Sequence, residues 1–413
     1  MRSPALANRR VTTFIILLGL ASLVGGSAVM LLAFAQAVAL PPIPWELGAL
    51  LVSLGGGLLW FALRLQANPN GSSVSPQNDT SSESKAHLKG LKAVAIGGGT
   101  GLPATLRGLK PYTDHITAVV TIADDGGSSG RLRRDLQILP PGDLRNNLVA
   151  LADDESLLAR LFQYRFTTGE LKGHSFGNLF IAALADVVST GDRQHNPLAD
   201  ALSEVQRVLN IRGRVLPASL TDARIIAELK LKGSERLVTV IGESKIESVD
   251  GQVERIRLEP SPVLAYPPVI DAILDANLIV IGPGSLYTSI IPNLLVTGIA
   301  DAIRASNATK VYVCNVATQP VETEGYSVAD HVMALENHVG RGVFQTILAN
   351  NAMPQPNAGE NTRYVTPIPD NHEIQQRYEV RYTDLADVQR PWRHDPQKLG
   401  AALLALLRHD GSR

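Results

Sequence analysis

Two short apolar runs each end in a loop of glycine and small polar residues. Leu91–Ile96 is followed by G-G-G-T-G, and Ile116–Ile122 is followed by A-D-D-G-G-S-S-G, with a helix-like stretch between the two runs. This order predicts a strand, a helix and a second strand, so both loops should lie at the carboxyl ends of parallel strands. Ligands bind at that edge in α/β proteins. The unit therefore predicts an α/β fold with a ligand site.

The first loop combines features of a phosphate site and of a tight turn. Gly98, Gly99 and Gly101 allow the backbone to approach a phosphate, Thr100 adds a hydroxyl, and the following helix offers free N–H groups at its start. The spacing is neither the G-x-G-x-x-G of dinucleotide-binding proteins nor a P-loop, which requires G-K-[ST]. The loop therefore predicts either a phosphate contact or a plain turn between a strand and a helix.

The second loop carries two adjacent acidic residues, Asp124 and Asp125, and two serines, Ser128 and Ser129. Residues of this kind pack poorly in a core but form a good polar site, and an aspartate-rich surface loop is the alternative. Mg²⁺ takes one or two carboxylates together with substrate phosphates. We therefore expect Asp124 and Asp125 to bind either a magnesium ion or a sugar hydroxyl.

Two further polar stretches lie at predicted helix starts. Asp143 is predicted to be a helix N-cap after a Pro-Gly turn, and it and Asn146 belong either to the surface or to a pocket. His174 and Asn178 lie in G-H-S-F-G-N, where a helix start could bind an anion or substrate. A lone histidine is more often a hydrogen-bonded structural residue, and that interpretation stays open for His174.

A third glycine-rich loop follows the apolar stretch Leu278–Ile281, which predicts a buried strand. Gly284, Ser285 and Thr288 in this loop offer N–H and hydroxyl groups of the kind that hold phosphate, and Tyr287 could stack on a ligand or donate a hydrogen bond to it. The next predicted strand, Lys310–Cys314, also ends in small polar residues. Because this pattern recurs at four junctions, we expect the loops to share one crevice.

Two other regions complete the α/β part of the chain. Short strands between about residues 211 and 259, separated by Gly, Ser and Asp, predict a small antiparallel insertion. Near the C-terminus, Arg393 and His394 precede the last predicted helix, residues 397–408. This basic pair either caps structure or contacts a phosphate.

Length and composition limit the classes of function. At 413 residues the chain is longer than one average domain. Its formal charge of −1 argues against nucleic acid as the main partner. The single cysteine, Cys314, excludes an internal disulfide and a cysteine-rich metal site, and it fits a reducing compartment.

Residues 1–66 differ from the rest, because two apolar segments, about 13–40 and 47–65, predict a transmembrane helical hairpin. The first segment carries no charged residue, and the second carries none up to Leu63. The sequence P-P-I-P between them breaks a continuous helix. A cleaved signal peptide and, for the second segment, an interfacial helix are the alternatives. In the hairpin interpretation, the chain contacts the membrane through residues 11–65.

The flanking charges give the hairpin an orientation. Arg2, Arg9 and Arg10 precede the first segment and Arg64 ends the second, so the positive-inside rule places both ends in the cytoplasm. Residues 67–87 are rich in Asn, Ser, Pro and Gln and predict a flexible linker. Residues 88–413 would then form a cytoplasmic α/β domain attached to the inner membrane.

Taken together, the loops resemble those of the gluconeogenesis-factor group within the 2-phospho-L-lactate transferase superfamily. The resemblance covers nearly all of Leu91–Arg413. The matching stretches are GGGTGLPATLRGLK, TAVVTIADDGGSSGRLR, PPGDLRNNLVAL, GHSFGNL, RGRVLPAS, IGPGSLYTSIIPNLLV, VCNVATQ and EGYSVADH.

The resemblance implies a Rossmann-like α/β fold, with a mostly parallel sheet and helices on both faces, that binds a nucleotide-containing ligand. Gluconeogenesis factors bind UDP-sugars and support cell shape and wall synthesis during growth on gluconeogenic carbon sources. Transferases of the superfamily move a phospholactyl group from a guanosine diphosphate carrier to a deazaflavin, with magnesium. The resemblance also implies base and phosphate contacts at Tyr364 and Arg393.

Two departures bear on these expectations. Gly126–Ser129 matches the gluconeogenesis-factor version of the loop, where transferases carry bulkier residues that help to place the deazaflavin. The predicted hairpin departs from the usual soluble members. The first hypothesis is therefore a membrane-tethered regulator that binds a nucleotide-sugar. The second is a phospho-group transferase that uses Mg²⁺. Formation of a homo-oligomer is compatible with either hypothesis. An NAD-dependent oxidoreductase lacks the expected glycine spacing.

Overall fold

The structure is a computed structural model that describes residues 90–410, with gaps at 153–155, 190–195, 247 and 359–361. The predicted membrane hairpin and linker therefore lie outside the described residues. Within the described part of the chain, no helix has the length and apolar character needed to cross a membrane.

A seven-stranded parallel sheet forms the centre of the fold. Its strands are β1 (Ala93–Gly97), β2 (Ile116–Val120), β3 (Arg214–Pro217), β7 (Leu278–Ile281), β8 (Thr309–Val313), β9 (Thr346–Asn350) and β10 (Glu379–Thr383). Residues of β1, β2 and β7 are buried throughout, as their uninterrupted apolar sequences predict.

Helices connect these strands. They are α1 (Leu102–Leu109), α2 (Gly127–Leu136), α3 (Gly142–Leu151), α4 (Leu157–Gln163), α5 (Phe176–Val188), α6 (Pro197–Leu209), α7 (Glu243–Ile246), α8 (Pro267–Leu274), α9 (Ile291–Leu295), α10 (Ile299–Ala305), α11 (Val328–Val339), α12 (Ile374–Arg377) and α13 (Pro396–Asp410). A π-helix, Leu286–Ile290, runs directly into α9.

The order of the strands fixes where a ligand can bind. Across the sheet the order is β10-β9-β8-β7-β1-β2-β3, so the chain moves outward from β1 in one direction and from β7 in the other. Ala93 pairs with both Ile116 and Leu278, which places β1 between β2 and β7. The connections diverge at the carboxyl ends of β1 and β7, where an open α/β sheet leaves a crevice.

The antiparallel insertion is smaller than the sequence predicts. It consists of β4 (Arg224–Leu231), β5 (Leu237–Ile241) and β6 (Gly251–Glu259), in the order β5-β4-β6. The stretch 211–218, which the sequence analysis assigned to the insertion, instead contributes β3 to the edge of the main sheet, parallel to β2. Short strands carry no local signal for their partner, because pairing is decided by tertiary contacts.

The last helix crosses α1 at two glycines. A side chain at Gly400 would overlap the carbonyl of Gly108, and one at Gly108 would overlap the carbonyl of Pro396. Glycine at both positions therefore lets α13 lie directly against α1. This contact holds the segment that precedes α13 beside the loop between β1 and α1.

Candidate functional site

A crevice of about 380 Å³ lies above the ends of β1 and β7. The loops after β1, β7 and β8 line it, together with the segment that precedes α13 and one residue of the insertion. Of the residues predicted to bind a ligand, it brings together Gly99, Thr100, Gly101, Asp143, Gly284, Ser285 and Arg393.

Two buried asparagines orient the loop between β1 and α1. Asn293 donates its side-chain amide to the carbonyl of Gly97 at 2.9 Å, and Asn147 donates to the carbonyl of Gly98 at 3.1 Å. Both side chains are fully buried. Because these carbonyls point into the protein, the crevice side of the loop is left to N–H groups and to the exposed side chain of Thr100.

The glycines of this loop are required by close packing. A side chain at Gly98 would overlap Ser289, one at Gly99 would overlap Asp143, and one at Gly101 would overlap the carbonyl of Pro283. The tight-turn interpretation therefore accounts for the glycines themselves. Protein atoms already fill the space beside these Cα atoms, so the loop can contact a phosphate only through its N–H groups.

The start of α1 offers such N–H groups. Gly101 precedes the helix and has no side chain to cap it. Pro103 has no N–H and the Ala104 N–H donates to the Gly101 carbonyl at 3.0 Å, so the N–H groups of Gly101 and Leu102 are those left for a ligand. Their dipoles give the helix start a partial positive charge. Thr100 and Gly101 both line the crevice, so this helix start faces it.

Amide side chains after β8 hold the loop after β7. Asn315 accepts from the Gly284 N–H at 3.0 Å and donates to the Gly284 carbonyl at 2.9 Å. Gln319 donates to the Ser285 hydroxyl at 2.7 Å. These contacts fix the two loops relative to each other, and all four residues line the crevice.

Two neighbouring side chains of the π-helix, Tyr287 and Thr288, face different cavities. Thr288 lines the crevice, whereas the ring of Tyr287 lies in a different cavity, where its hydroxyl is 2.8 Å from that of Tyr326 and its ring packs edge-on to His338. Glu322 accepts from the Tyr287 N–H at 3.1 Å and from the Thr288 hydroxyl at 3.3 Å. Tyr287, which the sequence places in the ligand site, therefore supports the loop from behind.

Asp143 lines the crevice and lies against Gly98 and Gly99 of the loop between β1 and α1. It lies in the first turn of α3 rather than at the N-cap, which is Pro141. Burial and the nearby charge of Asp124 raise the pKa of Asp143 to about 7, against the opposing effects of the Gly99 N–H and Arg145. The carboxyl is thus partly protonated near neutral pH.

Asp124 lies near Asp143 and is hydrogen-bonded to the start of α2. One of its oxygens accepts from the Gly126 N–H at 2.9 Å, and Ser129 also hydrogen-bonds to the carboxylate. Burial raises the pKa of Asp124 in spite of these hydrogen bonds, and the nearby Asp125 adds to the increase. Interacting carboxyl groups with raised pKa values are typical of functional sites, and one of these two, Asp143, lines the crevice.

Asp125 has a different role from its neighbour. Its Oδ1 accepts from the Ser244 N–H at 2.8 Å, so the carboxylate holds the start of α7 in the insertion. Asp125 does not line the crevice. Neither residue of the adjacent acidic pair lines the crevice: Asp124 lies beside Asp143 at the start of α2, and Asp125 holds the insertion.

Glu243 is the crevice residue that the sequence analysis missed. It is the first residue of α7, and its side chain lines the crevice opposite the loop between β1 and α1. Burial and the charges of Asp143 and Asp124 raise the pKa of Glu243 well above its usual value. A Gly-Glu-Ser turn between two predicted strands was the only signal in the sequence.

The serines of the second loop contact the G-H-S-F-G-N stretch. Asn178 donates to the Ser128 hydroxyl at 3.2 Å and lies 3.5 Å from that of Ser129, and Ser128 is 3.1 Å from His174 Nδ1. Burial lowers the pKa of His174, and the positive charge of Arg131 adds to this effect. These four predicted residues form a network around the start of α2, next to Asp124 rather than in the crevice itself.

A second part of this network involves Arg145, which donates to the Ser175 hydroxyl and to Asn146 Oδ1, the latter at 2.7 Å. Asn146 also accepts from Gln163 at 3.4 Å. Asn146 therefore contributes to the packing of α3 against the end of α4. The structure places it outside the crevice lining.

The C-terminal residues predicted from the resemblance differ in position. Arg393 lines the crevice, while Tyr364 is buried and its hydroxyl has no hydrogen-bond partner among the described residues. His394 anchors the segment, because its Nε2 is 3.1 Å from the Cys314 carbonyl and burial lowers the pKa of the ring to about 4. Arg393 is thereby held above the crevice by a neutral structural histidine.

Comparison with known proteins shows which family and which relatives the chain is similar to. The family described as 2-phospho-L-lactate transferase CofD matches residues 93–398. A protein of Nostoc sp. named "Putative gluconeogenesis factor" is 49% identical over 328 residues, which cover 76% of this chain and 68% of that protein. The "Gluconeogenesis factor" of Bacillus subtilis is 46% identical over 318 residues, which cover 77% of this chain and 90% of that protein.

The fold has a solved relative. A crystal structure of a member of the upf0052 family from Bacillus halodurans is similar with a TM-score of 0.68 and 42% sequence identity. The similarity covers 76% of this chain and 99% of that chain. The matching part of this chain thus corresponds to nearly the whole of the chain in that crystal structure.

Proposed function

The chain belongs to the 2-phospho-L-lactate transferase CofD family, and on that premise we propose that it is a gluconeogenesis factor that binds a nucleotide-sugar in the crevice. Its function would be regulatory: ligand occupancy would signal the supply of precursors for the cell wall and so affect cell shape. One observation carries the proposal, namely that an uncapped helix start and the carboxyl groups of Asp143 and Glu243 line one crevice.

The helix start is suited to a diphosphate. Free N–H groups and the helix dipole favour an anion there, and Thr100 adds an exposed hydroxyl. Arg393 lies over the same crevice and can pair with phosphate oxygens. The polar loop formed by Gly284 and Ser285 adds further donors on the β7 side.

The carboxylate side is suited to the sugar. Asp143 and Glu243 accept hydrogen bonds, and sugar hydroxyls donate them. Small residues at Gly126–Ser129 leave no bulky side chain of the kind that would help to place a deazaflavin, and Ser128 and Ser129 are already hydrogen-bonded to Asn178. These features favour a nucleotide-sugar over a deazaflavin acceptor.

A specific observation also favours the second candidate, a phospho-group transferase that uses Mg²⁺. Asp124 and Asp143 each have a pKa raised partly by negative charge nearby, and a divalent cation would relieve that repulsion. These two residues, rather than the Asp124–Asp125 pair, would hold the ion together with ligand phosphates. Bound Mg²⁺ would neutralise charge that develops on a transferred phosphoryl group.

The two candidates are separated by titrating residues 88–413 with UDP-N-acetylglucosamine, GDP and NADP, with and without Mg²⁺, and by analysing the mixtures for product. The fragment is suitable because the solved relative consists of the matching part alone. We expect tight binding of the UDP-sugar without turnover. Turnover of a GDP-linked substrate would instead establish the transferase.

We also propose that residues 1–66 anchor the domain to the inner membrane, because their two apolar segments are long enough to reach across or into a bilayer. The full-length chain should stay in the membrane pellet after an alkaline carbonate wash. A variant that starts at residue 67 should be released into the supernatant. Release of the full-length chain would contradict the anchor.

A further inference from the structure

We propose that Glu243 determines ligand specificity, because its carboxylate accepts a hydrogen bond from a hydroxyl or amide of the ligand beyond the phosphates, and that Asp125 positions it. The inference rests on the proposed function, since it names a contact in the same crevice. It also gives the antiparallel insertion a role, namely to supply one wall of the ligand site.

The side chain of Glu243 is incompletely satisfied. Its Oε2 is buried and has no hydrogen-bond partner among the described residues. A buried carboxylate oxygen without a donor is costly and is rarely retained without a use. Because this side chain lines the crevice, a ligand there can supply the missing donor.

The position of Glu243 is set by a contact between the second loop and the insertion. The Ser244 N–H donates to Asp125 Oδ1 at 2.8 Å, directly beside Glu243 in sequence. Gly242 has a φ of 100°, and a side chain there would overlap Asp125. Only glycine combines this backbone conformation with so close an approach. The carboxylate of Asp125 therefore fixes the backbone on which Glu243 is mounted.

The missing partner could be a ligand donor or a metal ion. The acidic charges around Glu243 would suit a cation, so the choice depends on whether the described residues form a metal site. The charges that act on Glu243 come from acidic residues, namely Asp143, Asp124, Glu322 and Asp125. Nevertheless, no group of three or more metal-binding side chains among the described residues is arranged around a common point. Glu243 therefore accepts a hydrogen bond from the bound molecule rather than coordinating a metal ion.

The test compares UDP-N-acetylglucosamine with UDP on the full-length chain in detergent, by calorimetric titration without Mg²⁺. Glu243→Gln should weaken binding of the UDP-sugar about tenfold, because a neutral amide accepts a weaker hydrogen bond than a carboxylate does, and should leave the affinity for UDP unchanged. Glu228→Gln makes the same chemical change at an exposed position of β4 and should alter neither affinity.

Asp125 is tested by two variants, because loss of affinity alone could reflect general damage. Asp125→Asn keeps an acceptor for the Ser244 N–H and should retain most of the preference for the sugar ligand. Asp125→Ala removes the acceptor, and it should lower sugar affinity as Glu243→Gln does while UDP still binds. Equal loss of UDP and UDP-sugar affinity in Asp125→Ala would overturn the positioning role.

The outcomes separate this inference from the proposed function. If the unaltered chain binds neither ligand, the proposed function fails and this inference fails with it. If the chain binds the UDP-sugar and Glu243→Gln binds it equally well, the inference alone is overturned. An effect of Glu243→Gln that arises only when Mg²⁺ is added would overturn it in favour of a metal ligand.

Discussion

The side-chain amide of Asn293 donates to the Gly97 carbonyl at 2.9 Å and so connects the helix after β7 to the last residue of β1. The same amide donates to the Ser289 carbonyl at 2.7 Å. One buried side chain thus holds both walls of the crevice at the point where the sheet order reverses. The shape of the crevice depends on this contact as much as on the glycines of the loop.

Replacing this residue should therefore affect stability and binding together. Asn293→Ala removes one of the two donors to the Gly97 carbonyl, which keeps the Thr121 N–H at 3.1 Å, and opens a small buried cavity, so we expect it to lower the free energy of unfolding by about 2 kcal/mol. Urea denaturation of residues 88–413 measures this change. Asn337→Ala, at an exposed helix position, is the control and should change stability little. Equal stability of the two variants would contradict the structural role of Asn293.

Asp143 should make stability depend on pH. Its pKa of about 7 lies above the usual 3.8, so the folded state binds a proton that the unfolded state has lost, and stability falls as the pH rises from about 4 through 7. Asp143→Asn removes this loss while keeping an acceptor for the Gly99 N–H. The variant should match the unaltered chain near pH 4 and exceed it by about 1–3 kcal/mol at pH 8, allowing for partial solvent exposure.

Thermal unfolding across this pH range tests the sign of the effect. The charge of Asp143 also helps to raise the pKa of Glu243, so Asp143→Asn lowers that pKa as well and adds to the stability of the variant at high pH in the same direction. A variant that is less stable than the unaltered chain at pH 8 would show that the Asp143 carboxylate is stabilised as an ion.

Arg393 should contribute to the binding of phosphates. Arg393→Ala is expected to weaken the affinity for UDP about tenfold and to make that affinity less sensitive to salt, because a charged contact is lost. Arg257→Ala, at an exposed position of β6, removes the same charge away from the crevice and serves as control. Calorimetric titration at two salt concentrations measures both effects, and an unchanged salt dependence would remove Arg393 from the phosphate site.

The crossing of α1 and α13 should tolerate no side chain. Gly400→Ala adds a methyl group that would overlap the Gly108 carbonyl, so we expect a loss of roughly 2 kcal/mol or more in the free energy of unfolding. Ala401→Ser changes a neighbouring exposed position by a similar volume and should have little effect. Because α13 follows Arg393, weaker nucleotide binding should accompany the loss of stability at Gly400.

The sequence was most informative where apolar runs end in small polar residues. Such junctions predicted β1, β2, β7 and β8, and Gly99, Ser285 and Arg393 line one crevice in the structure. The reason is physical: a fully buried parallel strand must be apolar, and its carboxyl end is where polar groups can reach a ligand.

Features that depend on distant contacts could not be predicted in this way. Asp125 and Ser244 are separated by 119 positions, so nothing in the second loop indicated that this carboxylate holds the insertion. Tyr287 follows Ser285 closely, but the π-helix turns its ring to the opposite side from Thr288. Side-chain direction within a short irregular helix is set by packing and hydrogen bonds rather than by residue type.

The most direct test of the account is a crystal structure of residues 88–413 with UDP-N-acetylglucosamine. We predict that the diphosphate contacts the N–H groups at the start of α1, near Thr100 and Gly101, and that the sugar lies between Asp143 and Glu243. A ligand bound at another surface, or one whose phosphates lie on the carboxylate side, would contradict the central claim that this crevice is the nucleotide-sugar site.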